Sequence, residues 1–216
     1  MAGLRIEAGI RSCSIPLNSI NNTERNAVTK SGPEFAYALG YTTEEHDRLM
    51  RQSELVAPCT ERLFRVAGIG RGDRVLDVGS GIGDVSLLLR SLVGPTGEVV
   101  GIERDAGSIA RATARIEAAG FNNVLFFESD VAGFSAPGSF DAIVGRFILM
   151  YLPDPVEALR SLTKLLRPKG VIAFLEPSMA AVQGLSAHLP LYSAFKATII
   201  DAFKLTVPTQ RWAQGC

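Results

Sequence analysis

The 216-residue chain balances 22 Lys and Arg against 22 Asp and Glu, with 47% hydrophobic and 7% aromatic residues. A neutral, apolar-rich chain of this length suits one globular domain with an attached segment, and excludes disordered, fibrous and strongly basic nucleic-acid-binding classes. Cys13, Cys59 and Cys216 are scattered, odd in number and outside any CxxC pattern, which suggests neither a disulfide framework nor a zinc site, so no metal is expected, and a reducing cytoplasm fits best. The N-terminal MAGLRIEAGIRSCSIPLNS has no continuous apolar core of the kind an export signal carries. The longest uncharged run, 177–195, contains Pro190, His188 and several serines, so no membrane span is expected.

Residues 1–33 lack sustained periodicity and read as a loosely ordered arm, and 34–72 as N-terminal helices. In the latter, TTEEHDRLMRQSELVAPCTERLFRVAG opens with Thr42 and Thr43 as N-cap candidates and Glu44 and Glu45 in the first turn. The pattern predicts two helices broken near Pro58, closed by Gly68, Gly70 and Gly72. From residue 73 to 177 apolar runs alternate with helical patterns. Strands are predicted at 75–78, 99–103, 124–128, 140–146 and 171–176. Helices are predicted at 84–93, at 106–119 behind an Asp105 cap, and at 156–166. Strands separated by helices imply parallel pairing through right-handed crossovers, hence an α/β, doubly wound sheet covered on both faces. Ligands bind such sheets at the carboxyl ends of the strands, where the strand order reverses.

The first strand ends there in VLDVGSGIGDVS, a glycine loop that brings bare backbone close to a ligand. Gly79, Gly81 and Gly83 follow GxGxG spacing, with Asp84 where a dinucleotide fingerprint has its last glycine. Asp77 just before the loop would oppose a pyrophosphate and suits a ligand with an ammonium group. Glu103 ends the second strand, where a carboxylate accepts from both hydroxyls of a ribose. Asp130 follows the third strand and is able to accept from an adenine amino group, although an aspartate there also suits a turn or a cap. Three acids at adjacent strand ends favour a cationic adenosine ligand.

VLDVGSGIGDVS, VVGIERD, FFESDVAGF, SFDAIVGRFILMYLPDP and LLRPKGVIAFLEP, in this order, resemble the class I S-adenosylmethionine-dependent methyltransferases, in their small-molecule branch of ubiquinone- and menaquinone-biosynthesis type. The resemblance implies a Rossmann-like sheet of order 3-2-1-4-5 and S-adenosyl-L-methionine as cofactor, held by the core at 73–177. It implies that Asp77, Gly79, Ser80, Gly81 and Gly83 hold the methionine moiety and Glu103 the ribose. Arg104, Asp130 and Val131 then lie at the adenine, and Arg146 near the methionine end and the substrate opening. The region of Tyr41, Arg51 and Gln52 is expected to fold over the cofactor as a lid.

Methyl transfer from a sulfonium needs alignment and exclusion of water, and a base only if the acceptor carries a proton to lose. His188 and Tyr192, in the segment expected to cover the substrate, and Arg146 are the candidates for a catalytic part; each also has an ordinary reading as a packed or surface residue. Leu149 and Met150 read as apolar packing beneath the cofactor, and Tyr151 carries no stronger signal. Members of the family continue to a terminal antiparallel hairpin, whereas this chain is expected to be shortened, with 178–216 a partial covering segment. The fifth strand would then be an exposed edge open to self-association. The sequence predicts a methyltransferase acting on a small molecule, the alternatives being a cofactor-binding but inactive form and, less favoured by Asp77 and the GxGxG spacing, an NAD-dependent oxidoreductase.

Overall fold

The computed structural model describes residues 42–177. The predicted arm at 1–33, the covering segment at 178–216, Tyr41, His188, Tyr192, and with them the expectations of a shortened terminus and a missing hairpin, lie outside the described residues. Five parallel strands form one sheet: β1 Arg74–Val78, β2 Glu98–Glu103, β3 Val124–Glu128, β4 Phe140–Arg146 and β5 Leu166–Leu175. Their order is β3-β2-β1-β4-β5, the predicted doubly wound order, with every neighbouring pair parallel. The helices are α1 Thr43–Val66, α2 Asp84–Val93, α3 Ala106–Ala118 and α4 Pro155–Thr163. The order reverses between β1 and β4, so connections leaving those two strands diverge and open a crevice at their carboxyl ends.

Successive residues of a strand point to opposite faces, and here both faces are apolar, which is why the strands read as continuous apolar runs. Val75, Val99, Val144 and Ala173 face one core with Phe64 of α1, Leu89 of α2 and Ile116 of α3. Leu76, Val78, Val100, Ile102 and Ile143 face the other, with Leu162 of α4. Asp105 caps α3 by accepting from the Ser108 N–H at 2.6 Å, and Thr42 caps α1 by accepting from the Glu45 N–H at 3.2 Å.

Three expectations are corrected. The predicted break at Pro58 is absent, and α1 runs unbroken through it. A proline in a helix interior costs about 3 kcal/mol, but one buried aromatic on the same helix offsets a similar amount. Phe64 is fully buried, as is Thr60, whose hydroxyl donates to the Val56 carbonyl at 2.9 Å, while Pro58 itself is exposed. The fifth strand begins at Leu166 rather than Val171, because the RPKG stretch joins the strand instead of forming a separate turn. Phe140 pairs with Leu166 but Ala142 with Val171, and the residues between bulge, with Lys169 at φ 68°. α4 correspondingly ends at Thr163, short of the predicted Leu166. Among the described residues β5 is paired on one side only, with β4, and no helix is long and apolar enough to cross a membrane.

Candidate functional site

The glycine loop leaves β1 with three residues in left-handed backbone, Gly79 at φ 67°, Gly81 at 52° and Gly83 at 84°. A Cβ on Gly79 would lie 2.6 Å from Ile148 Cδ1, and one on Gly83 would lie 3.1 Å from Ala112 Cβ and 3.2 Å from the Phe126 ring. Gly81 alone of the three has no atom of the described residues within 4 Å on that side. The outer glycines therefore serve packing, and Gly81 is the one whose bare face meets none of the described residues.

The backbone N–H groups of the loop are largely committed within the protein. Ser80 donates to the Ile102 carbonyl at 3.0 Å, Gly83 to the Ser80 carbonyl at 2.9 Å, and Gly81 to Glu103 Oε2 at 3.0 Å. An anion cradle needs such groups free, so the arrangement argues further against a pyrophosphate ligand. Asp84, the departure from the dinucleotide spacing, pairs with Arg115 of α3 at 2.7 Å, and Arg115 also donates to the Ile82 carbonyl at 2.5 Å. The ion pair fastens the start of α2 to α3.

Asp77 lies beneath this loop, 1% exposed. Its Oδ2 accepts from the Ser86 hydroxyl of α2 at 2.6 Å, while its Oδ1 is buried without a partner among the described residues, as is Ser80 Oγ. Burial pushes the Asp77 carboxyl up to about 7; Ser86 and Arg146 draw it down, and Glu103 and Asp84 add to the rise. Glu103 Oε1 accepts from the Arg104 and Asp105 N–H groups at 2.7 and 3.1 Å. This carboxylate therefore shapes the loop as well as standing at the strand end.

Arg146 ends β4, half-buried, and its Nη2 donates to Ser53 Oγ of α1 at 2.9 Å. Burial lowers its pKa, and Asp77 and Asp84 oppose that change. At the other side His46 Nε2 lies 3.2 Å from Ser108 Oγ, and Arg111 pairs with Asp47 at 3.0 Å. The first half of α1 thus reaches from the start of α3 to the end of β4, over the strand ends. Arg51 on that half is exposed, and Gln52 accepts from Arg48 Nη1 at 3.4 Å.

The structure thus ties Gly81 of the glycine loop to Glu103 by a hydrogen bond and Asp77 to Ser86 just past the loop, and sets Glu103 and Arg146 within electrostatic range of Asp77. Arg104 and Asp130 are exposed at the neighbouring strand ends, and Val131 is buried in the second core. Leu149–Tyr151 form a short 3-10 helix after β4, with Leu149 packed against the same core as expected. Ser53, Ser86, Ile148 and Glu176 were not singled out by sequence. Ser86 was detectable, since a hydroxyl two residues into the helix faces back toward the strand end, but the others carry no local signature.

A family model described as a methyltransferase domain matches residues 69–207. Demethylmenaquinone methyltransferase of Staphylococcus aureus (strain JH9) is 30% identical over 156 residues, which cover 71% of this chain and 64% of that protein. The chain therefore spans just under two thirds of that relative's length. A solved S-adenosylmethionine-dependent methyltransferase from Aquifex aeolicus shares 26% identity and a TM-score of 0.52, over 55% of this chain and 64% of that one. The structure of coclaurine N-methyltransferase bound to N-methylheliamine and S-adenosylhomocysteine shares the fold, with a TM-score of 0.51 at 17% identity over 55% of this chain and 34% of that one. A matched domain over more than half the chain, on a sheet of this order with this loop and these acids, means that the chain belongs to the S-adenosylmethionine-dependent methyltransferases.

Proposed function

We propose that the chain transfers a methyl group from S-adenosylmethionine to a small-molecule acceptor. The observation that carries this reading is Asp77, a buried carboxylate with one oxygen lacking a partner among the described residues, beside a loop whose N–H groups are largely committed. A cation near the loop relieves the cost of that buried charge, whereas an anion would add to it. The site also fits the rest of the cofactor. Gly81 offers a bare face, and the family resemblance assigns Glu103 to the ribose diol and Arg104, Asp130 and Val131 to the adenine. Glu103 already accepts three backbone N–H bonds, against about four lone-pair positions on a carboxylate. Ribose hydroxyls therefore compete with Gly81 for Oε2, and the loop adjusts as the site fills.

When bound, the cofactor supplies an electrophilic methyl carbon and a thioether leaving group. The chain's residues orient it and exclude water, with Arg146 and the first half of α1 bordering the acceptor side. Alignment contributes roughly 7–11 kcal/mol to such a displacement, so a base is not required for every acceptor. His188 and Tyr192 are the proposed proton acceptors where the nucleophile must lose a proton, and the small, apolar or amphipathic class of acceptor follows the menaquinone-type relative.

Calorimetry with S-adenosylmethionine and with NAD, followed by incubation with methyl-labelled cofactor and a metabolite extract, tests the reading. Binding of S-adenosylmethionine and label in a small extractable product are expected. Cofactor binding without transferred label defeats the transferase reading in favour of a cofactor-binding one, and preference for NAD defeats both.

A further inference from the structure

Glu176 lies one residue beyond β5, at the same end of the sheet as the glycine loop, and has no part in the site as described so far. Its Oε1 accepts from the backbone N–H groups of Ile148 and Leu149 at 2.9 and 3.0 Å, while its Oε2 is buried without a hydrogen-bond partner among the described residues. A half-buried carboxylate with a sealed oxygen is costly to keep, and burial raises its pKa against the pull of the Leu149, Ile148 and Met150 N–H groups. The turn it grips is itself strained. Phe147 has φ 57°, a left-handed conformation that a bulky residue adopts only when its surroundings enforce it. Two anchors enforce it here: the Phe147 N–H donates to the Leu175 carbonyl at 2.9 Å, and the next two N–H groups are held by Glu176.

The turn decides where Ile148 goes. Its side chain fills the space that a Cβ on Gly79 would need, at 2.6 Å from Cδ1, and the space beside Gly145, at 2.8 Å from Cγ2. Ile148 is thus a wedge between the cofactor loop and the end of β4, one residue from the Arg146–Phe147 bend. We propose that Glu176 is a positioning residue for methyl transfer, clamping the turn after β4 so that Ile148 and Arg146 hold their places against the glycine loop. Its role runs through the accepting oxygen, not through its charge, and it is not a catalytic residue. The proposal rests on the cofactor-site reading above.

The test compares Glu176→Ala, Glu176→Gln and Glu176→Asp for affinity to S-adenosylhomocysteine, kcat, KM and thermal midpoint. Gln keeps an accepting oxygen at full reach and drops the charge; Asp keeps the charge and shortens the reach by a methylene. E176Q is expected within about threefold of wild type in affinity and kcat, and E176A and E176D to lose about tenfold or more in both. A purely structural role would lower the thermal midpoint and leave the affinity and kcat of the folded protein unchanged, which overturns the proposal. So does the reverse ranking, with Asp like wild type and Gln impaired, because charge would then be what matters. If E176A does not fold, the Gln and Asp variants decide the question by that ranking. Wild-type protein that fails to bind S-adenosylhomocysteine would defeat the cofactor-site reading itself, an outcome visible before any variant is compared.

Discussion

Asp77→Asn is expected to stabilise the ligand-free protein while weakening its hold on the cofactor. In the fold the Asp77 carboxyl rises from its ordinary 3.8 to about 7, chiefly because it is sealed from water. A carboxyl whose folded pKa is raised binds more protons in the native than in the unfolded state across that interval. The contribution of Asp77 to stability is therefore most favourable below about pH 4, falls as pH rises toward 7 and is level above it. At about 1.4 kcal/mol per unit, the ionised group costs the empty protein about 4 kcal/mol at pH 8. Asn removes the charge and its carbonyl still accepts from Ser86, but its amide takes the place of the unpartnered Oδ1, so only part is recovered. A gain of about 2 kcal/mol raises the thermal midpoint by roughly 4–8 °C for a chain of this size. Melting curves of both proteins at pH 8 and pH 5 are the assay, and the advantage of the variant should shrink at the lower pH. Calorimetry should show the opposite change in binding, a loss of about tenfold or more for S-adenosylmethionine at pH 8, because the cationic ligand loses its buried counter-charge. Wild type at pH 7 should also release about half a proton per cofactor bound, read from the dependence of the binding heat on buffer ionisation. A variant less stable than wild type at both pH values, or one that binds as tightly, would refute the reasoning.

Gly79→Ala puts a methyl into a left-handed position 2.6 Å from Ile148, so it should cost about 2 kcal/mol or more in urea unfolding and abolish measurable cofactor binding. Glu103→Ala removes the acceptor of the Gly81, Arg104 and Asp105 N–H groups. It should raise the dissociation constant for S-adenosylmethionine about a hundredfold, whereas a change under threefold would separate this carboxylate from the ribose. Pro58→Ala restores a donor in the middle of α1 on its exposed side and should raise stability by about 1–3 kcal/mol in urea unfolding, without changing cofactor affinity.

The core of the fold was legible because its strands are buried on both faces and separated by well-capped helices, so pattern and environment agree. The loop was legible for the same reason: Gly79, Gly81 and Gly83 must be glycine for backbone conformation, and in two cases for contact as well. What the sequence withheld depends on distant partners. Nothing near Pro58 announces that Phe64 will hold the helix together across it, and nothing in RPKG announces a bulge against Phe140. Glu103 was read from its strand position, but its bonds to the loop follow from how β2 and β1 lie side by side. Glu176 looked like any acid at a strand end, because its importance comes from a turn 28 positions earlier in the chain. Asp84 was read as a departure from a dinucleotide loop, and its partner Arg115 supplies a reason that has nothing to do with ligand choice.

α1 has one end over the site, at His46 and Ser53, and the other in the core, at Phe64. From Phe64 to His46 is about 27 Å along the axis at a rise of 1.5 Å per residue. If the helix moves as a rod about its buried end, a tilt of about 5° carries His46 through roughly 2 Å, enough to break a hydrogen bond of ordinary length. On that geometry the contacts of His46 and Ser53 sit at the free end of a lever whose fulcrum, Phe64, lies in the hydrophobic interior, so a change at Phe64 would be felt first at those two hydrogen bonds.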